Sequence, residues 1–201
     1  MRLPRGERTR QRILDAAGPC FAARGYARTT VEEVASRAGV SKALVYHHFG
    51  SKERILDAVI ERTIAKWDAV TDLASITSGG SVLESIASMH RAALDYARDN
   101  PAMQALIELD SRMLLDAPAG RAVRESMRRH REALAAALRA GVESGEVRDD
   151  LDLEAAADVI LVHHLGIVQA VFEPEWVDPS EKLVETGLDI LLRGLASGRA
   201  T

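Results

Sequence analysis

Residues Gly25 to Leu56 read GYARTTVEEVASRAGVSKALVYHHFGSKERIL, and this stretch decides the fold. Thr30-Val31-Glu32-Glu33 has the form of a capping box: the Thr30 hydroxyl can accept from the Glu33 backbone N–H while the Glu33 carboxylate reaches back. It opens a short helix with Val34, Ala35 and Ala38 as apolar positions, ending at Gly39, where a sharp turn calls for the positive φ that a Cβ opposes. Ser41 can cap a second short helix running to about His48, which Gly50 breaks. Two short helices joined by a tight glycine turn, after a packing helix, make a helix-turn-helix. Val34, Ala35, Val40, Val45 and Phe49 are expected to hold the second helix across the first. That leaves Ser41, Lys42, Ala43, Leu44, Tyr46, His47 and His48 for the side that would enter a DNA major groove.

Upstream, Ile13, Ala16, Ala17, Cys20 and Phe21 share one face of a first helix that is expected to stop at Gly25. Downstream, Ser51 caps a long fourth helix carrying Ile55, Leu56, Val59, Ile60, Ile64 and Trp67. Thr77-Ser78-Gly79-Gly80 breaks the chain, and Ser81-Val82-Leu83-Glu84 reads as a second capping box. Asn100-Pro101 supplies an N-cap with proline at the first helical position. A long helix is expected from about Arg121 to Ser144, an apolar one over 153–172, and a last amphipathic one holding Leu183, Val184, Leu188, Leu191, Leu192 and Leu195. The last is expected to open on Asp178-Pro179-Ser180-Glu181. The reading is all-α, with about nine helices and no strand.

The formal net charge of −4 hides an asymmetry. Residues 1–66 hold 13 Lys and Arg against 7 Asp and Glu, and the remainder holds 13 against 23. A basic head on an acidic body suggests that the head alone meets a polyanion, although a solvated basic surface would look the same. Hydrophobic residues make up 47% of the chain, which argues against disorder. The single cysteine, Cys20, allows no intrachain disulfide and suits a reducing cytoplasm; core packing and redox sensing are its two readings. The opening MRLPRGERTRQRIL lacks the apolar segment of a secretory signal. The stretch from Ala155 to Phe172 is broken by Asp158, His163, His164 and Gln169, which counts against a membrane span.

The run from Gly25 to Leu56 resembles the DNA-binding head of the TetR family of repressors. The elements that match are Tyr26 after glycine, the Thr29-Thr30 pair, the turn Ala38-Gly39-Val40-Ser41, then Tyr46, Phe49, Lys52 and the apolar start of the fourth helix. Ala43 stands where the family commonly has glycine, and Leu44 where it has threonine. The likeness implies a head at residues 1–54, followed by a helical ligand-sensing and dimerising body at 55–201. It implies a homodimer that binds a palindromic double-stranded operator in the cytoplasm and is released by a small organic effector. No cofactor is expected.

Roles follow residue by residue. Thr29 and Thr30, at the start of the second helix, and Lys52, at the start of the fourth, suit phosphate. Tyr46 resembles the family tyrosine that holds the DNA backbone, and His48 stands where another backbone-contacting ring is frequent. Lys42 can donate to guanine, His47 to a base edge or phosphate, and Leu44 can touch a thymine methyl. Arg28 and Arg37 are electrostatic helpers.

In the family, the body takes its ligand between helices and dimerises through the last two. Here the helix of 155–172 is apolar around nearly its full circumference, as a helix packed on both its own subunit and a partner would be; a monomeric core helix is the other reading. Candidate effector contacts are Trp67, Met89, Tyr96, Met103, Ile107, Asp110, Met113, Met127, His163, Ile167 and Trp176, since methionines and aromatics suit an adaptable apolar cavity. Adjacent His163 and His164 point about 100° apart on a helix and cannot easily share one metal ion, and His90 and His130 lack ligand spacing. No nucleophile elbow, glycine-rich phosphate loop or paired zinc ligands mark an enzyme. An activator, an all-helical enzyme and an interaction module with a vestigial head are the other function classes.

Overall fold

The computed structural model describes residues 4–71, 80–107, 118–172 and 180–198, the Ala105 side chain excepted. Nine helices lie among them: α1 (Arg5–Arg28), α2 (Val31–Ala38), α3 (Lys42–Phe49), α4 (Lys52–Val70), α5 (Val82–Asp99), α6 (Pro101–Ile107), α7 (Gly120–Ser144), α8 (Leu153–Phe172) and α9 (Glu181–Leu195). They belong to two compact units. One comprises residues 1–65 and 100–124, the other 66–99 and 125–201.

In the first unit, Ile13, Leu14, Ala17 and Phe21 of α1 are buried with Val34 and Ala35 of α2, Val45 and Phe49 of α3, and Ile55, Leu56, Val59 and Ile60 of α4. Each such Leu, Ile or Phe stabilises the unit by about 1.5–3 kcal/mol through the apolar area it removes from water. Of the expected core positions, Val40 is only half-buried. The α1 helix carries non-helical backbone at Gly25 (φ 71°) and ends one short turn later, at Arg28. The α6 helix packs on α1, with Gly18 so close to Ala102 that a Cβ there would sit 3.0 Å from the Ala102 Cβ.

The second unit is built on Val82, Ile86 and Met89 of α5, Leu134 and Leu138 of α7, and Ile160 and Leu161 of α8, with Val147 and Leu195 closing its end. There the Arg148 N–H donates to the Leu195 carbonyl (3.0 Å) and the Ser197 N–H to the Glu146 carbonyl (2.9 Å), fastening the C-terminus.

The helix ends correct two expectations. At α5 the Glu84 N–H does donate to the Ser81 hydroxyl (3.1 Å), but the returning carboxylate is that of Glu146, which accepts from Val82 N–H (2.8 Å) and Leu83 N–H (3.1 Å) and bonds the Ser81 hydroxyl. At α9 the cap is Ser180, accepting from Leu183 N–H; Asp178 and Pro179 lie outside the described residues. Asn100 caps α6 as expected, through Ala102 N–H (3.1 Å). By length and a mean hydropathy of 1.6, α8 passes for a bilayer span. It buries one face, Ala157, Ile160, Leu161, His164, Ile167 and Val168, within the protein, and leaves Val159, Val162 and Leu165 exposed.

Candidate nucleic-acid interface

The geometry of α2 and α3 follows from their caps. Thr30 accepts from Glu33 N–H (3.3 Å) and Thr30 N–H donates to the Glu33 carboxylate (2.9 Å), a complete capping box. That bond to the Thr30 backbone N–H leads the causes that hold the Glu33 carboxyl below its usual range. Gly39 ends α2 in the left-handed conformation (φ 62°, ψ 42°), and Arg12 from α1 donates to the Ala38 (2.6 Å) and Gly39 (3.3 Å) carbonyls. The last turn of α2 is thus satisfied by a cation, which suits the negative end of a helix. Ser41 caps α3 through Leu44 N–H (3.2 Å), and Gly50 ends it at φ 78°.

On this scaffold, Val45 and Phe49 point inward while Ser41, Lys42, Ala43, Tyr46 and His47 are exposed, with Leu44 and His48 half-buried. Tyr46 is 42% exposed, a large apolar ring left in water. The Lys42 ammonium pairs with the Glu32 carboxylate and lies 5.7 Å from the Tyr46 ring centre. Both ends of that pair are solvated, so water screens it and a phosphate or base edge can compete for the ammonium. Thr30, Arg28 and Arg37 are exposed too, although the Arg28 Nε donates to the Arg24 carbonyl (3.0 Å).

Two residues are placed differently from the sequence reading. Thr29 is 1% exposed, and its hydroxyl donates inward, with the Gly25 (2.9 Å) and Cys20 (3.0 Å) carbonyls in reach. Lys52 turns its ammonium to the carbonyls of Tyr26 (2.9 Å), Thr29 (3.0 Å) and Ala27 (3.4 Å), 4.3 Å from the Tyr26 ring centre. It closes the carbonyl end of α1. Tyr26 in turn donates its hydroxyl to Glu53 (3.0 Å); burial, then that bond, pushes the phenol up to about 12.

The sequence reading also missed a partner for α3. A groove of about 760 Å³ beside α3 is lined by Arg5, Arg8, Thr9 and Arg12 of α1 together with Val40, Leu44, His47 and His48. The signal is the basic opening of the chain, which the charge count places in the basic head without assigning it to α3.

Among the candidate effector contacts, Trp67, Met89, Tyr96, Met127, His163 and Ile167 belong to the second unit, whereas Met103 and Ile107 of α6 belong to the first. Asp110, Met113 and Trp176 lie outside the described residues. Trp67 meets Tyr96 edge-on at 6.2 Å and His164 at 5.1 Å between ring centres. His164 meets His90 at right angles (4.7 Å), and His163 Nδ1 lies 3.3 Å from His90 Nε2. Since a carbonyl can only accept, His90 Nδ1–H donates to Ile86 O (3.0 Å) and His130 Nδ1–H to Ser126 O (2.9 Å). The His130 Nε2 is 3.0 Å from the Thr71 hydroxyl. Burial holds all four rings neutral at pH 7: His90 is lowered to about 4, His164 well below its usual range, and His163 and His130 are also lowered. Neither His90, His130 nor His164 was a sequence candidate.

The outer side of the last two helices is apolar and exposed. Val159, Val162 and Leu165 on α8 face solvent, as does Ile190 on α9, whereas Leu188 is 1% exposed within its own unit.

The chain matches two family models, "Bacterial regulatory proteins, tetR family" over residues 13–59 and "Tetracyclin repressor-like, C-terminal domain" over residues 76–186. It is 28% identical over 192 residues to the HTH-type transcriptional repressor KstR2 of Rhodococcus jostii, covering 94% of this chain and 91% of that one. Over 63 residues it is 48% identical to the HTH-type transcriptional activator FasR of Mycolicibacterium smegmatis, covering 31% of this chain and 28% of that one. A solved structure, the SmeT–triclosan complex, matches with a TM-score of 0.76 and 26% identity, covering 95% of this chain and 93% of that one. With a capped helix-turn-helix at one end and a family match over more than half its length at the other, the chain belongs to the TetR family of bacterial regulatory proteins and is a DNA-binding transcriptional regulator.

Proposed function

We propose that the protein is a ligand-released repressor that acts in the cytoplasm and binds a near-palindromic operator as a homodimer. The reading helix α3 carries this: it presents Lys42, Ala43, Tyr46 and His47 from a capped frame. Residues 1–54 read DNA in this proposal, and residues 55–201 sense and dimerise. Lys42 and His47 meet base edges, Leu44 a thymine methyl, and Tyr46, His48, Thr30 and the α2 N-terminus meet phosphate. Arg28 and Arg37 add field, joined by Arg5 and Arg8 from the groove beside α3. Lys52 and Thr29 act from behind, holding the end of α1 against the start of α2.

The apolar strip of Val159, Val162, Leu165 and Ile190 supports a two-fold seam, because four large apolar side chains in water favour burial against a second copy. An apolar organic effector is supported by the aromatic interior around Trp67 and by likeness to SmeT, which is seen with triclosan. The effector acts by favouring a spacing of the two heads that cannot reach successive major grooves, roughly 34–36 Å apart. The protein is assigned no catalytic role.

The test is selection of operator DNA from a random pool by the purified full chain. Enrichment of a near-palindrome is expected, and a pool that shows no enriched sequence overturns the reading. Activation is the second reading, favoured by the likeness of the head to FasR; the whole-chain likeness to KstR2 favours repression. A selected site lying upstream of the promoter instead of across it would decide for activation.

A further inference from the structure

Two buried polar atoms in the second unit have no hydrogen-bond partner among the described residues: the Trp67 indole Nε1 and the His164 Nε2. Trp67 is 2% exposed and His164 3% exposed, and their rings touch edge to face. A buried polar atom left unpaired is costly, so each of the two, on rings in contact, calls for an explanation. The surroundings show which ring atoms are spent elsewhere. His90 donates to the Ile86 carbonyl and has His163 on its other nitrogen, while His130 is held between Ser126 and Thr71. Asp68 on α4, 3.8 Å from the His130 Nδ1, pairs with Arg129 on α7.

We infer that Trp67 and His164 are the hydrogen-bonding end of the effector site, and that the effector is an uncharged apolar molecule bearing an oxygen function: a ketone, ester, lactone or alcohol. This rests on the ligand-released reading above and specifies its ligand.

The indole N–H can only donate, so it demands an acceptor atom. The His164 Nε2 donates in one tautomer and accepts in the other, so it can meet a carbonyl or a hydroxyl, and either function also supplies the oxygen that the indole needs. An ionised carboxylate fits badly. Burial keeps the four histidines neutral, and the Arg129 cation is already given to Asp68, so an anion would enter a dry site beside neutral rings and a cation already paired. Tyr96 continues the aromatic wall beyond Trp67, which suits the apolar remainder of such a molecule.

The experiment uses the full chain, isotope-labelled, with the indole N–H resonances of Trp67 and Trp176 assigned separately. The probes are γ-decalactone, 2-decanone and decanoate, matched in carbon number and different in charge. Binding is followed by the Trp67 indole N–H resonance, at about pH 7.5 where the four clustered histidines are neutral. The neutral probes are expected to saturate and to move the resonance downfield, with decanoate about tenfold weaker or worse. Trp67→Phe keeps the ring and loses the donor, and by calorimetry it should bind the lactone about 3–10-fold less tightly. Decanoate binding as well as the lactone, an unchanged affinity in Trp67→Phe, or an indole resonance that no neutral probe moves at millimolar concentration would each overturn the inference. If Trp67→Phe fails to fold, the resonance in the parent decides alone. Operator affinity is measured separately with the same probes. A lactone that moves the indole but leaves operator binding intact sinks the release reading and spares the subsite, whereas a molecule that releases the operator without moving the indole does the reverse.

Discussion

Six histidines divide between two settings in this chain, and the contrast separates a surface suited to a polyanion from an interior suited to an apolar molecule. His47 and His48 sit on the reading helix, one exposed and one half-buried, beside Lys42 and the arginines of α1. His90 of α5 meets His163 and His164 of α8, and His164 meets Trp67, inside the second unit, where His130 of α7 is buried against Thr71. The residue type is the same, and the difference is water. On the first unit, charge is cheap and screened, so cations can be presented and re-partnered. In the second, a charge has no solvent, so burial strips the protons from the rings and leaves them as hydrogen-bonding groups of a nearly neutral interior.

The most severe way to break this contrast is acid. His90 has its folded value lowered to about 4 from an ordinary 6.5, so the unfolded chain binds its proton first as pH drops. Its stabilising contribution is complete above about pH 6.5 and is lost as pH falls toward 4, amounting to about 3 kcal/mol for this one ring. Urea midpoints measured between about pH 7.5 and 4.5 should fall, and His90→Gln should flatten the fall. A parent whose midpoint holds steady across that window would mean the cluster is not dry.

The next test separates the inside of the last two helices from their outside. Val162, at 70% exposure, and Ile190, at 68%, face water, so the double change Val162→Asp with Ile190→Asp should leave the fold intact while weakening the dimer about 30-fold. Sedimentation reads the association and circular dichroism the fold. Leu188→Asp, in contrast, puts a charge into the subunit's own core and should unfold it. A parent that sediments as a monomer at micromolar concentration removes the seam altogether.

Within the first unit, two lysines sharpen the same distinction. Lys42 is solvated and only loosely held by Glu32, so Lys42→Ala should relax discrimination at one base position about tenfold, read by repeating the operator selection. An unchanged preferred site would take Lys42 away from the bases. Lys52 is spent on three carbonyls at the end of α1, so Lys52→Met should cost about 1 kcal/mol of stability. The slope of log affinity against log salt should move by less than the one contact that a phosphate ligand would take with it. A full one-contact loss of slope with no loss of stability would return Lys52 to the DNA.

The features that were legible in the sequence act over three or four residues. Thr30 with Glu33, Ser41 with Leu44, and the left-handed turn at Gly39 are each decided by the atoms of one helix end, and those atoms are adjacent in the chain. The apolar spacing along α1 and α2 similarly names a buried face, because helical periodicity is a local property. What lay hidden depends on residues that meet only after the chain has folded. Ser81 looks like one half of a box with Glu84, yet the carboxylate that completes the cap comes from Glu146, after the whole of α7. Lys52 looks free for phosphate until the end of α1, more than twenty residues back, arrives with its carbonyls. The four clustered histidines, three buried and His163 half-buried, show no ligand-like spacing because three helices deliver them, and whether each keeps its proton depends on how completely those helices exclude water. Hydrogen-bond geometry along a helix is encoded residue by residue, so the sequence by itself determined the two reading helices, their caps and the family. Desolvation is a property of the packed assembly, so only the tertiary structure decided which polar groups face water and which are left, buried, with a bond still to make.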